Sequence, residues 1–173
     1  MRTVDECVVR APVQTVFDLA ADVERWPDHL PHYRYVRFRE REIGGGVVEM
    51  SANRPFGVFA WPTWWVSRMD VRPYHHRNEP VIRFRHVDGI TTRMEVEWSF
   101  TPVTLGTRVT VLHLWDGPEW PIIGTTAARA VIGPVFIHGI ASRTLAGLAH
   151  AAERRQTSEH GFTREPSRDA QSS

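Results

Sequence analysis

Residues 134–155, PVFIHGIASRTLAGLAHAAERR, decide the fold. Ile137, Ile140, Ala141, Thr144, Leu148 and Ala151 recur there at helical spacing, which gathers them on one face of an α-helix. Arg143, Glu153 and Arg154 fall on the other side. Pro134 suits a first helical turn, where its missing N–H costs nothing. At 1.5 Å per residue the segment makes a rod of roughly 33 Å, long enough to cross a small antiparallel sheet. Gly133, Gly139 and Ala141 keep its side chains small and leave room beside it.

The chain before this rod reads mostly as strands. Working back from it, Arg108 to Trp115 places Val109, Val111, His113 and Trp115 on one side. Met94, Val96, Trp98 and Phe100 alternate with Glu95, Glu97 and Ser99, and Ile82, Phe84 and His86 alternate with Arg83 and Arg85. In Phe59 to Val71, Trp65, Ser67 and Met69 oppose Trp64, Val66 and Arg68, while Pro62 is expected to interrupt the run and make its first part an edge, a bulge or a bend. Tyr33 to Glu42 carries Val36 and Phe38 on one face and Arg37, Arg39 and Arg41 on the other. It turns at Gly44-Gly45-Gly46 into Val47 to Arg54, where Val48, Met50, Ala52 and Arg54 share parity.

A first strand, Val4 to Arg10, is stopped by Ala11-Pro12, and Pro12 to about Ala21 is a predicted helix. Asp22 is placed to cap a second short helix through Val23, Trp26 and Leu30 that Pro31 ends. The predicted class is α+β. A curved antiparallel sheet of about seven strands wraps the last helix in one domain, 1–155, and the space between sheet and helix is the place for a ligand. Residues 156–173 turn polar and are expected to be a disordered tail. The loop 116–125 is unusually apolar, which fits either packing on the core or a lid over a pocket mouth.

Composition narrows the function classes. A hydrophobic share of 42% with seven Trp can fill a core, and a net charge of +1 argues against a nucleic-acid surface as the main business. No apolar run reaches spanning length and no signal-peptide pattern opens the chain, so a cytoplasmic protein is expected. The single cysteine, Cys7, excludes an internal disulfide and reads as a small buried side chain. HExxH, CxxC, a phosphate loop and a Gly-x-Ser-x-Gly elbow are all missing, so neither a metal nor a cofactor is expected.

Residues 8–33, VVRAPVQTVFDLAADVERWPDHLPHY, resemble the opening of START-like, helix-grip proteins, whose signature is a strand ending in Ala-Pro, a helix, and Asp-Val-Glu-x-Trp-Pro before the second strand. The resemblance runs over roughly residues 4–155. It is closest to the polyketide cyclase/dehydrases, including the single-domain aromatase/cyclases of bacterial type II polyketide synthases; coenzyme-Q-binding START proteins share the opening. This resemblance implies a pocket entrance at Trp26, Leu30 and Tyr33, pocket-lining aromatics at Trp65 and Trp98, and a polar pocket residue at His113. It also implies an inward Arg on the strand after Trp-Val-Ser, where this chain has Met69. Some members place an Asp on the C-terminal helix where this chain has Thr144.

Closing a ring in a poly-β-ketone requires a folded chain, a proton taken from a carbon between two carbonyls, and stabilised oxyanions. His113, Tyr33 and Arg54 are the expected catalytic residues. Trp26, Leu30, Trp65, Met69, His86, Trp98, Phe100, Ile137, Ile140 and Thr144 are expected to bind substrate, with His86 a second candidate for proton transfer. Each also has a bland reading: His113 and His86 as satisfied core residues, Tyr33 as entrance packing, Arg54 as a solvated strand end. The expected ligand is a hydrophobic small molecule or a polyketide intermediate, with an acyl carrier protein as a partner. The Arg37/Arg39/Arg41 row reads first as a solvated sheet face and second as a surface that could receive such a carrier. The competing class is a non-catalytic carrier of a quinone or lipid.

Overall fold

Seven antiparallel strands form one sheet in the order β1-β7-β6-β5-β4-β3-β2. They are β1 (Arg2–Val9), β2 (Tyr33–Glu42), β3 (Gly45–Phe56), β4 (Phe59–Arg72), β5 (Val81–Gly89), β6 (Glu95–Val103) and β7 (Gly106–Leu114). Helix α1 (Val13–Ala21), a 3-10 turn (Val23–Arg25) and helix α2 (Trp26–His29) follow β1, and helix α3 (His138–Phe162) comes last. The computed structural model describes residues 1–56, 59–73, 79–117 and 138–162, and the side chains of these except 54–56, 59–60, 138 and 159–162. The predicted seven-strand, helix-grip order is therefore what the chain adopts.

Alternation settles which face is covered. Ile82, Phe84 and His86 are buried on β5, Val96, Trp98 and Phe100 on β6, and Val109, Val111 and His113 on β7, while the residues between them are partly or fully exposed. Leu145, Leu148, Ala151 and Ala152 of α3 join Val16, Phe17 and Ala20 of α1 in the same core. Phe17 meets Phe100 edge to face at 5.5 Å, the arrangement aromatic quadrupoles prefer. Burying each such ring contributes about 1.5–3 kcal/mol. The β2–β3 turn needs its glycines: Gly45 and Gly46 have φ of 152° and 133°, and a Cβ on Gly45 would run into the Met69 carbonyl.

Four details differ from the sequence expectation. Helix α3 continues seven residues past Arg155, because the Thr157 and Ser158 hydroxyls donate to the carbonyls of Glu153 and Arg154 and so fit inside a helix. Asp22 stands at the start of the 3-10 turn but makes no side-chain cap bond, and α2 is one short turn. Pro62 does not interrupt β4. It pairs with Asn53, and β5 joins β4 only from Trp65 onward, so the missing N–H falls where one edge is open.

The fourth concerns the arginine row, which is split. Phe38 faces Val48 and Glu40 faces Val47, so Arg39 is the extra residue of a bulge. Arg37 and Arg39 converge on Glu49 at 3.1 and 2.9 Å, whereas Arg41 lies over the Phe38 ring and pairs with Glu24 of the 3-10 turn at 2.6 Å. All three arginines stay exposed, as a solvated sheet face requires, and two carboxylates of the chain itself, Glu49 and Glu24, offset part of their charge.

Candidate functional site

Between the buried face of the sheet and helices α2 and α3 lies a cavity. Trp26 and Tyr33 close it at the α2–β2 corner. Trp65, His86, Trp98 and His113 stand on β4 to β7, and Ile140, Ala141 and Thr144 come from α3. About 60 Å³ is open to the centre of a water-sized sphere, several times the ~10–15 Å³ that one water needs. A multi-ring ligand must push side chains aside, and two wall residues, Met50 and Met94, are the unbranched, adaptable kind.

The aromatic wall is continuous. Trp26 contacts Tyr33 at 5.1 Å, Trp98 at 5.8 Å and Phe84 at 6.1 Å, and Tyr33 reaches Trp65 at 6.2 Å. Trp65 stacks on His86 at 6.0 Å with 17° between the planes. Strand geometry explains this set: Phe84 sits opposite Met69 and Val96, and Val96 opposite His113, so inward residues of adjacent strands stand side by side. The His86 Nδ1 is held 2.6 Å from the Thr91 hydroxyl, inside the tight turn that follows β5. His113 is buried at the far end of the same wall.

Eight of the residues expected at the site line this cavity: Trp26, Tyr33, Trp65, His86, Trp98, His113, Ile140 and Thr144. Three others do not. Leu30 is fully buried against α3, so close that a Cβ on Gly147 would collide with its Cδ2. Met69 faces inward as expected but sits in the core beyond the lining, with Phe84 opposite it. Phe100 is covered by α1 through Phe17. The side chain of Arg54, all of Ile137 and residues 118–125 of the apolar loop lie outside what the structure describes. Arg68 points to the outer face and pairs with Glu42, so no bulge turns it into the place of an inward Arg.

Residue His32 escaped the sequence expectation. Its Nε2 lies 3.1 Å from the Thr144 hydroxyl. Burial, then the charge of Arg143, lower its pKa from 6.5 to about 4. On the outer face Glu49 is held at about 2 against an ordinary 4.5, chiefly by the Tyr35 hydroxyl that donates to it at 2.7 Å; burial opposes this and Arg39 and Arg37 add to it. Among the described residues no three His, Cys, Asp or Glu side chains gather as a metal site, and no helix is long and apolar enough to cross a membrane.

Both shifts make stability rise with pH wherever the unfolded chain would bind more protons. Each folded pKa is depressed, so the contribution is present above the unfolded value and is lost as pH falls towards the folded one. For His32 that window runs from 6.5 down to about 4, and for Glu49 from 4.5 down to about 2. Urea midpoints measured against pH are expected to lose the upper slope in His32→Leu and the lower slope in Glu49→Gln. Slopes unchanged in the variants would contradict the assignment.

A family model described as polyketide cyclase / dehydrase and lipid transport matches residues 9–135. A Streptomyces cyaneus protein whose name assigns it to the polyketide cyclases is 28% identical over 108 residues, 62% of this chain and 67% of that protein. The granaticin polyketide synthase bifunctional cyclase/dehydratase of Streptomyces virginiae is 36% identical over 53 residues, 31% of this chain and 17% of that longer protein. Among solved structures, the Zhui aromatase/cyclase from Streptomyces sp. R1128 superposes with a TM-score of 0.73 at 21% identity, over 90% of this chain and 94% of that one. At that identity the likeness is one of fold.

Proposed function

Since the chain belongs to the polyketide cyclase/dehydrase and lipid transport family, we propose that it folds an aromatic or poly-β-ketone chain in its cavity for aldol ring closure and dehydration. The observation that carries this reading is a wall of Trp26, Trp65 and Trp98 rings with a buried histidine, His113, set into it. Rigid aromatic faces restrict a flexible polyketone to few conformers, which brings the reacting carbons together. A proton then leaves a carbon between two carbonyls, that carbon bonds to a ketone carbon, and the ketone oxygen, now an alkoxide, takes a proton. Loss of that hydroxyl with a neighbouring C–H as water gives the double bond of the new ring.

In this proposal His113 carries the proton, because it is the histidine at the end of the wall. Tyr33 donates to a ketone oxygen, and Arg54 stays a candidate by its strand parity alone. The substrate is tethered to an acyl carrier protein. The test is co-expression with a minimal polyketide synthase, with product ring patterns compared in its presence and absence. New regiospecific rings support a cyclase. Unchanged products together with tight binding of a quinone or lipid would establish the second reading, non-catalytic carriage, which Met69 in the place of an inward Arg favours.

A further inference from the structure

A threonine hydroxyl in the middle of a helix ordinarily bonds back to the carbonyl one turn earlier. Thr157 does so here, as Ser158 does. Thr144 does something else. Its side chain is 1% exposed, it lines the cavity, and its hydroxyl meets His32 Nε2 at 3.1 Å, across 112 residues of sequence. A hydroxyl has one proton and two lone pairs, so this bond leaves capacity unspent at the cavity wall.

A second polar group in the same wall points to the same need. The Trp26 indole nitrogen can only donate, is buried, and has no acceptor among the described residues. Such a donor is costly to bury unmatched. Trp26 touches Tyr33 at 5.1 Å and Tyr33 touches His32 at 4.8 Å, so the two groups flank one aromatic corner.

We propose that His32 is a positioning residue that donates its Nε2–H to the Thr144 oxygen, turning the Thr144 proton towards the cavity, where it and the Trp26 N–H bind carbonyl oxygens of a ring-bearing ligand. A neutral imidazole has a single N–H, and His32 stays neutral at physiological pH because it is half-buried and faces the Arg143 charge. The ligand chemistry selected is an apolar skeleton with carbonyl acceptors, shared by a polyketone and a quinone and absent from a plain hydrocarbon. The inference rests on the cavity being the ligand site of the proposed function and does not need turnover.

Anthraquinone and anthracene share three fused rings and differ by two carbonyl oxygens. Titrated by tryptophan fluorescence, the wild-type protein is expected to bind anthraquinone about five- to tenfold more tightly, the advantage of one or two neutral hydrogen bonds. Thr144→Val and His32→Leu should each remove most of that preference with anthracene affinity held within about twofold, and His32→Gln, which keeps a donor, should restore it. A second pair, dibenzoylmethane against diphenylpropane, offers a β-diketone in place of a quinone. Whichever pair shows the larger His32-dependent preference names the source of the carbonyls.

The wild-type comparison needs no variant to fold. Absence of a carbonyl preference in both pairs, no binding of any probe, or a preference that survives His32→Leu overturns the proposal. Because only binding is read, it can fail while ring patterns still change with a minimal synthase, and it can hold when they do not.

Discussion

Replacing His113 by Ala is expected to slow ring closure by about 10²-fold, the usual contribution of a positioned acid–base group. His113 is 8% exposed and stands in the cavity wall beside Val96 and Val111, so no bulk water reaches it easily to take over the proton. The loss should appear in the rate of ring formation from carrier-bound polyketone, with ligand binding changed far less. A variant that closes rings at the wild-type rate would return His113 to the satisfied core histidines. The cavity would remain, and His86, tied to Thr91, would become the group to test.

Phe100→Ala should do the reverse. The ring is fully buried and edge-on to Phe17, and removing a buried phenyl costs about 3–5 kcal/mol. Urea denaturation should show that loss, while affinity for a cavity ligand moves less than about twofold. Wild-type stability with weakened binding would put Phe100 back at the cavity.

The contrast between these two residues shows what the sequence could and could not carry. Trp98 and Phe100 are two apart on β6 and share the buried face, which alternation makes plain. Whether that face meets a helix or a void depends on where α1 lies, and no residue of β6 records it. The same holds for Met69, inward as expected yet outside the lining. The bulge at Arg39 was invisible for a related reason: it is a property of pairing with β3, and Arg37, Arg39 and Arg41 alternate in sequence as if the strand were regular. His32 was hardest to see, because its meaning comes from a hydroxyl 112 residues away. The helix-grip order, by contrast, rests on local signals that agree with one another, from Ala11-Pro12 through the glycine turn to the apolar stripe of α3.

The position of β1 has a kinetic consequence. Its sheet neighbour is β7, with Val9 opposite Thr107 and the Met1 amine on the Trp115 carbonyl at 2.6 Å. The first strand made therefore waits for the last of the seven, and closing a loop of that length must precede any gain from the pairing. A sheet completed by such distant partners belongs with the slow folders, in milliseconds to seconds. During synthesis α1 and α2 emerge long before the sheet that covers them, so their apolar faces, Phe17 and Trp26 included, are the surfaces a nascent chain must keep from aggregation.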